Sequence, residues 1–211
     1  MVAALFSDRI STAIASERET HALARCLQAR LPQLVEKLVL PEPPMAGLLQ
    51  FITDYIDSVP GCLRLVEAVS QRMGFYDYAA PFLDTAEEYF LNPPRHLPAD
   101  DGLEALLDEA FLTHRLLEEV NDHHVRHLQR PLLPVDMTEA NIIVHHLLGE
   151  ELANELDRLV QRTAAPLLLQ EHLWEKVRAL PGSAIPATEM FTSNNLARSP
   201  VQIRLRLPHT L

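Results

Sequence analysis

"GLEALLDEAFLTHRLLEEVNDHHVRHLQ", residues 102–129, is the longest uninterrupted helical pattern in the chain, and its reading sets the fold. Apolar residues recur at Leu103, Leu106, Leu107, Ala110, Phe111, Leu117, Val120 and Leu128. That is the three-to-four spacing that lines one face of an α-helix. "RPLLPVDM", 130–137, interrupts the pattern with two prolines. Thr138 then stands where a helix cap belongs, ahead of a second helix over about 139–162.

The same periodicity extends to both sides. It predicts a helix over about 8–30 with Ser7 or Asp8 as cap, and a further piece opening at Pro32 and running to Leu40. "PEPP" at 41–44 stops it. Helices follow over 45–58, over 60–73 (opened by Val59-Pro60 and ended by Gly74), and over 76–91. "NPPRHLPADDG", 92–102, reads as a loop. A last helix, about 164–179, carries the single tryptophan, Trp174. The expectation is an all-α, single-domain bundle of about six to seven helices over residues 1–179. Its length and 47% hydrophobic content suit one substantial core.

Residues 180–211 change character. Four prolines punctuate them, and "VQIRLRL" at 201–207 alternates apolar and polar residues strictly, a strand pattern. Arg198, Arg204 and Arg206 face one acid there, Glu189, so the tail carries +2 and the rest −13 of the net −11. A lone strand must find a hydrogen-bonding partner or remain solvated. Opposite charge on tail and body favours an extended arm that contacts a neighbouring subunit.

The totals also exclude. Only six glycines are present, with neither GxGxxG nor GxxxxGK[ST], so a glycine-rich phosphate loop is not expected. Net charge −11 without a run of Lys or Arg argues against nucleic acid. Cys26 and Cys62 make neither a disulfide framework nor a zinc site, and both lie in apolar helical patterns that would raise their pKa. No signal sequence or membrane-spanning run is apparent, so a cytoplasmic location is expected.

The chemistry concentrates in residues 114–150. On the 102–129 helix, His114, Asn121 and His124 share the apolar face, with Glu118 on its border; Glu119, His123 and His127 fall on the wet side. On the 139–162 helix, His145 falls in the stripe of Ile142, Leu152, Leu156 and Leu159, with His146 on its flank. In a tight antiparallel hairpin His124 and His145 would lie about 7 and 9 Å from the turn, at one level. Buried unpaired imidazoles cost on the order of 1–3 kcal/mol each, so such a patch needs partners.

Two explanations compete. One is a transition-metal site with His124 and His145 as first ligands, completed by Glu118 or His114, or by Asp84, Glu87 or Glu88 from an earlier helix. The ordinary one is a hydrogen-bonded polar core. Glu-x-x-His and His-Glu-x-x-His are both absent, which lowers the di-iron and zincin readings. No G-x-S-x-G or activated thiol supports nucleophilic catalysis.

The favoured expectation is therefore a helical interaction or regulatory protein, homo-oligomeric through its arm. A metal- or haem-binding protein or oxidoreductase using the inter-helix histidines is the second. A small-molecule-binding module lined by the same patch, with Asn121 and His146 as ligand contacts, is the third.

Overall fold

A computed structural model describes residues 2–93, 102–169, 175, 177–179, 190–192 and 203–206. Seven α-helices run in chain order among them: α1 (Val2–Thr20), α2 (Ala22–Lys37), α3 (Pro44–Met73), α4 (Tyr76–Leu91), α5 (Leu103–Leu128), α6 (Thr138–Leu148) and α7 (Glu150–Leu168). Four two-residue strands accompany them: β1 (Leu38–Val39), β2 (Val135–Asp136), β3 (Phe191–Thr192) and β4 (Arg204–Leu205). The all-α bundle is the architecture its periodicity predicts.

α5 is the axis. It packs against α1, α3, α4, α6 and α7. From Leu103 to His114 every residue except Glu104 is buried. A helix surrounded on all sides must therefore bury polar residues as well as apolar ones, and each buried group needs a partner. Arg9 reaches Glu109 at 2.7 Å and also donates to the Phe90 carbonyl. Thr113 Oγ1 donates to the Ala86 and Glu109 carbonyls. Around this helix the core gathers Tyr55, Ile52 and Ile56 of α3, Phe82 and Phe90 of α4, Val144 and Leu147 of α6, and Leu156 and Val160 of α7.

α1 begins at Val2, so Ser7 and Asp8 lie inside it and neither caps it, and α7 runs through the expected break at 162–164. Three further differences from the sequence reading have local reasons. The 8–30 helix is broken at His21, whose backbone is left-handed (φ 51), and α2 then continues through Pro32. The Glu17 carboxylate stabilises the break by accepting from the Leu23 and Ala24 N–H groups at the start of α2. Pro60 does not separate two helices: α3 runs unbroken over 30 residues. A proline forfeits one backbone bond, but Tyr55, Val59, Cys62 and Val66 keep one face of α3 buried on both sides of it.

The 139–162 helix is two helices. Gly149, at φ 92 and ψ 151, ends α6 and turns the chain into α7, which passes Pro166 to reach Leu168. The inward face of α6 is consequently Ala140, Ile143, Val144 and Leu147, while Ile142 is 41% exposed. A stripe projected from Ile142 across the break into α7 does not exist. Trp174 and part of 164–179 lie outside the described residues.

Described parts of the tail rest on the chain's own body. β4 pairs antiparallel with β1, Leu205 opposite Leu38. Ile203 is buried, Arg204 and Arg206 are exposed, and the alternation of "IRLR" is realised. β3 pairs in parallel with β2, and the Phe191 N–H donates to the Pro134 carbonyl at 2.7 Å. The strand pattern thus finds a partner within the chain. No helix among the described residues is long and apolar enough to cross a membrane.

Candidate functional site

His114 and His124 are both fully buried on α5, as the facing of that helix predicts. Nδ1–H of His124 donates to the Val120 carbonyl at 2.6 Å, and its ring stands edge-on to Tyr78 with centroids 5.4 Å apart. The His114 ring lies 4.8 Å from that of Tyr55, with Nε2 3.0 Å from Ser58 Oγ. Ser58 spends its own hydrogen on the Tyr55 carbonyl, so His114 Nε2–H is the donor and Nδ1 the acceptor. Nδ1 has no hydrogen-bond partner among the described residues. Burial pushes both imidazoles down to about 4, so both are neutral at neutral pH.

His145 does not meet His124. It lies beside Phe111, ring centroids 6.5 Å apart. Phe111 is thirteen residues, or about 20 Å of helix, up α5 from His124. The intervening segment is not a tight turn but doubles back along α5, held by Asn121. Nδ2 of Asn121 donates to the Leu133 and Val135 carbonyls at 3.0 and 2.8 Å. Oδ1 accepts from the Leu132 and Leu133 N–H groups at 3.1 and 2.7 Å. All four hydrogen-bonding positions of the amide are used, leaving none for a ligand. His146 sits near the end of α6, where its carbonyl accepts from Arg30 at 3.0 Å; it does not share a site with His124 or Glu118.

What the structure does assemble is a polar recess of about 230 Å³ between α5, α6 and α7. Phe111, Arg115 and Glu118 recur along one face of α5, Thr138, Asn141, Ile142 and His145 along one face of α6, and Asp157 comes from α7. Arg115 is the hub. It donates Nη1 to Glu118 Oε2 at 2.5 Å and Nε to Asp157 Oδ1 at 2.9 Å. Burial opposes its charge, but Glu118 and Asp157 outweigh that and raise its pKa. Asn141 Nδ2 also donates to Glu118 Oε2, at 2.6 Å, and Tyr55 OH donates to Asn141 Oδ1 at 2.7 Å. The network anchors in the core, because Tyr55 is fully buried. Toward solvent it ends at His145 Nε2, 3.9 Å from Asp157 Oδ2, too far for a direct hydrogen bond.

Of the expected metal ligands, His145 and Glu118 therefore line one recess, while His114 and His124 stand in two other environments. Among the described residues no three His, Cys, Asp or Glu side chains are arranged to hold a metal ion. The thiols are not activated: burial pushes Cys62 up to about 12, and burial followed by Glu104 raises Cys26. A larger hollow of about 420 Å³ lies between α1, α3 and the start of α5, lined by Ile14, Leu49 and Leu103 and by the polar Arg18, His21 and Gln50. Its buried acid, Glu17, is already engaged by two backbone N–H groups. The α5–α7 recess is the one that holds His145 and Glu118 of the expected site.

Sequence reading missed Arg115, Asn141, Asp157 and Tyr55. Only the i,i+3 spacing of Arg115 and Glu118 offered a signal; the other three meet through tertiary packing alone. No protein-family model, curated protein or solved structure matches the chain.

Proposed function

We propose that the chain is a binding module for a small polar molecule, held in the recess between α5, α6 and α7. One observation carries this reading. Glu118 Oε1 accepts no hydrogen bond among the described residues, and Asp157 Oδ2 has only the 3.9 Å approach of His145, although both residues line an open recess. Their other oxygens are held by Arg115 and Asn141, so the free ones are pre-positioned, and ordering them on binding costs little. A volume below the roughly 300–1,000 Å³ of drug-sized sites implies a ligand of few atoms. The test is a thermal-shift and NMR screen of small polar metabolite-like compounds against the full chain. Binding that perturbs residues 111–118, 138–145 and 157 supports the reading, and a screen in which no compound moves those signals removes it.

A second reading, an interaction or regulatory protein that homo-oligomerises through its arm, is supported by the charge contrast between the +2 tail and the −13 body. Deleting residues 197–211 separates its two versions. An arm acting in trans changes the assembly mass on deletion; one acting only in cis lowers the melting temperature at unchanged mass. Two cysteines without a bridge, Cys26 and Cys62, are consistent with a reducing, cytoplasmic setting for either reading.

A further inference from the structure

We infer that the molecule taken by the α5–α7 recess is a small organic cation, a primary ammonium or guanidinium group on a short carbon stem. This rests on the reading of the recess as a binding site and specifies its chemistry.

Charge is the first argument. The recess brings together two carboxylates, Glu118 and Asp157, and one guanidinium, Arg115. Arg115 already gives Nη1 to one acid and Nε to the other, so its charge is committed to them. One negative charge is left over, on two oxygens that accept no hydrogen bond among the described residues, Glu118 Oε1 and Asp157 Oδ2. Glu118 is only 9% exposed, so that charge sits where water screens it poorly and where an N–H donor is worth most.

The N-terminus of α6 does not reverse the sign. Its positive end, about half a charge, would favour an anion beside Thr138. However, Asp136 Oδ1 lies 3.4 Å from the Thr138 N–H, and Glu139 occupies the first turn. Those two acids answer the helix end before any ligand arrives. The net charge of −11 adds a long-range field that attracts cations.

Size and shape argue against a bare metal ion. No three ligating side chains among the described residues are arranged for one. An ammonium or guanidinium group carries several N–H donors and can serve both open carboxylate oxygens without a closed set of metal ligands. Exposed Ile142 at the rim offers an apolar surface to the carbon stem.

The experiment is an ¹H–¹⁵N correlation titration of the full chain at neutral pH. The probes are propylammonium, propylguanidinium, propionate, propionamide and Zn²⁺, each raised to about 10 mM, which reaches millimolar affinities. The expected result is saturable shifts of residues 111–118, 138–145 and 157 with the two organic cations, and none there with propionate or propionamide. Asp157→Asn should weaken cation binding about tenfold, the loss of one charged contact. Asp157 is the variant of choice because it is partly exposed. Glu118→Gln strips partners from Arg115 and Asn141 and is used only if it melts like the parent. Preference for propionate at the same residues would overturn the charge inference and leave the recess reading standing. Response to none of the probes would overturn the recess reading itself. Stoichiometric Zn²⁺ binding there, or unchanged cation affinity in Asp157→Asn, would overturn the organic cation.

Discussion

Arg30 fills the space that a side chain on Gly149 would need: a Cβ there would stand 3.0 Å from Arg30 Nη2. The guanidinium donates to the Leu147 and His146 carbonyls, satisfying the end of α6 where the chain turns. Gly149 itself adopts φ 92 and ψ 151, a region nearly closed to other residues. Gly149→Ala should therefore lose about 1–3 kcal/mol in urea denaturation. Combining it with Arg30→Ala should cost less than the two single losses together, because part of the alanine penalty is crowding against Arg30.

Asn121→Ala strips four backbone groups between Leu132 and Val135 of their partner at once. The expected loss is about 3 kcal/mol or more, since each buried unmet group costs roughly 1–3 kcal/mol and water recovers some of it. Accelerated amide exchange at Leu132 and Leu133 would localise the effect; exchange unchanged there would contradict the clamp.

Arg9→Ala removes the 2.7 Å ion pair of the Glu109 carboxylate, whose side chain is 3% exposed. Breaking a buried pair by deleting one partner costs about 3–5 kcal/mol. The double replacement Arg9→Met, Glu109→Leu should regain most of that loss, because it removes the charge as well as the partner. Thermal unfolding of Arg9→Ala and of the double replacement tests this.

Acid and base press on the core in opposite directions. His124 titrates at about 4 in the fold against about 6.5 in an unfolded chain. Its neutral form thus contributes stability present above about pH 6.5 and lost as pH falls toward 4. His124→Gln should flatten that acid limb by about one proton. Asp108 is the reverse case: burial, then Glu104, pushes its carboxyl up to about 7, and Oδ1 has no hydrogen-bond partner among the described residues. Its contribution is full below about pH 4 and lost as pH rises through 7. Asp108→Asn should match the parent near pH 4 and exceed it above pH 7 by on the order of 1–3 kcal/mol. Urea midpoints across that range measure both, and parallel curves for variant and parent would contradict them.

Local patterns carried most of the fold. The α5 face that buries His114, Asn121 and His124 was readable because a single unbroken helix keeps its 100° step from Leu103 to Leu128. The same projection failed on the next helix. Gly149 breaks the register there, so Ile142 and His145 could not be placed by extending a stripe into α7. Two prolines misled for a related reason: Pro32 and Pro60 weaken a helix locally, and burial of the flanking apolar residues outweighs the loss.

Helical class, the central 102–129 segment, the strand alternation in the tail and the unactivated thiols are properties of neighbours in the chain, and residue order settles them. Which polar groups come together is a property of residues far apart. Arg115 and Asp157 are 42 positions apart, and Tyr55 and Asn141 are 86. Their meeting depends on how three helices cross and on an asparagine that folds residues 132–135 back along α5. Nothing in local spacing encodes that crossing, because it follows from packing the whole core at once.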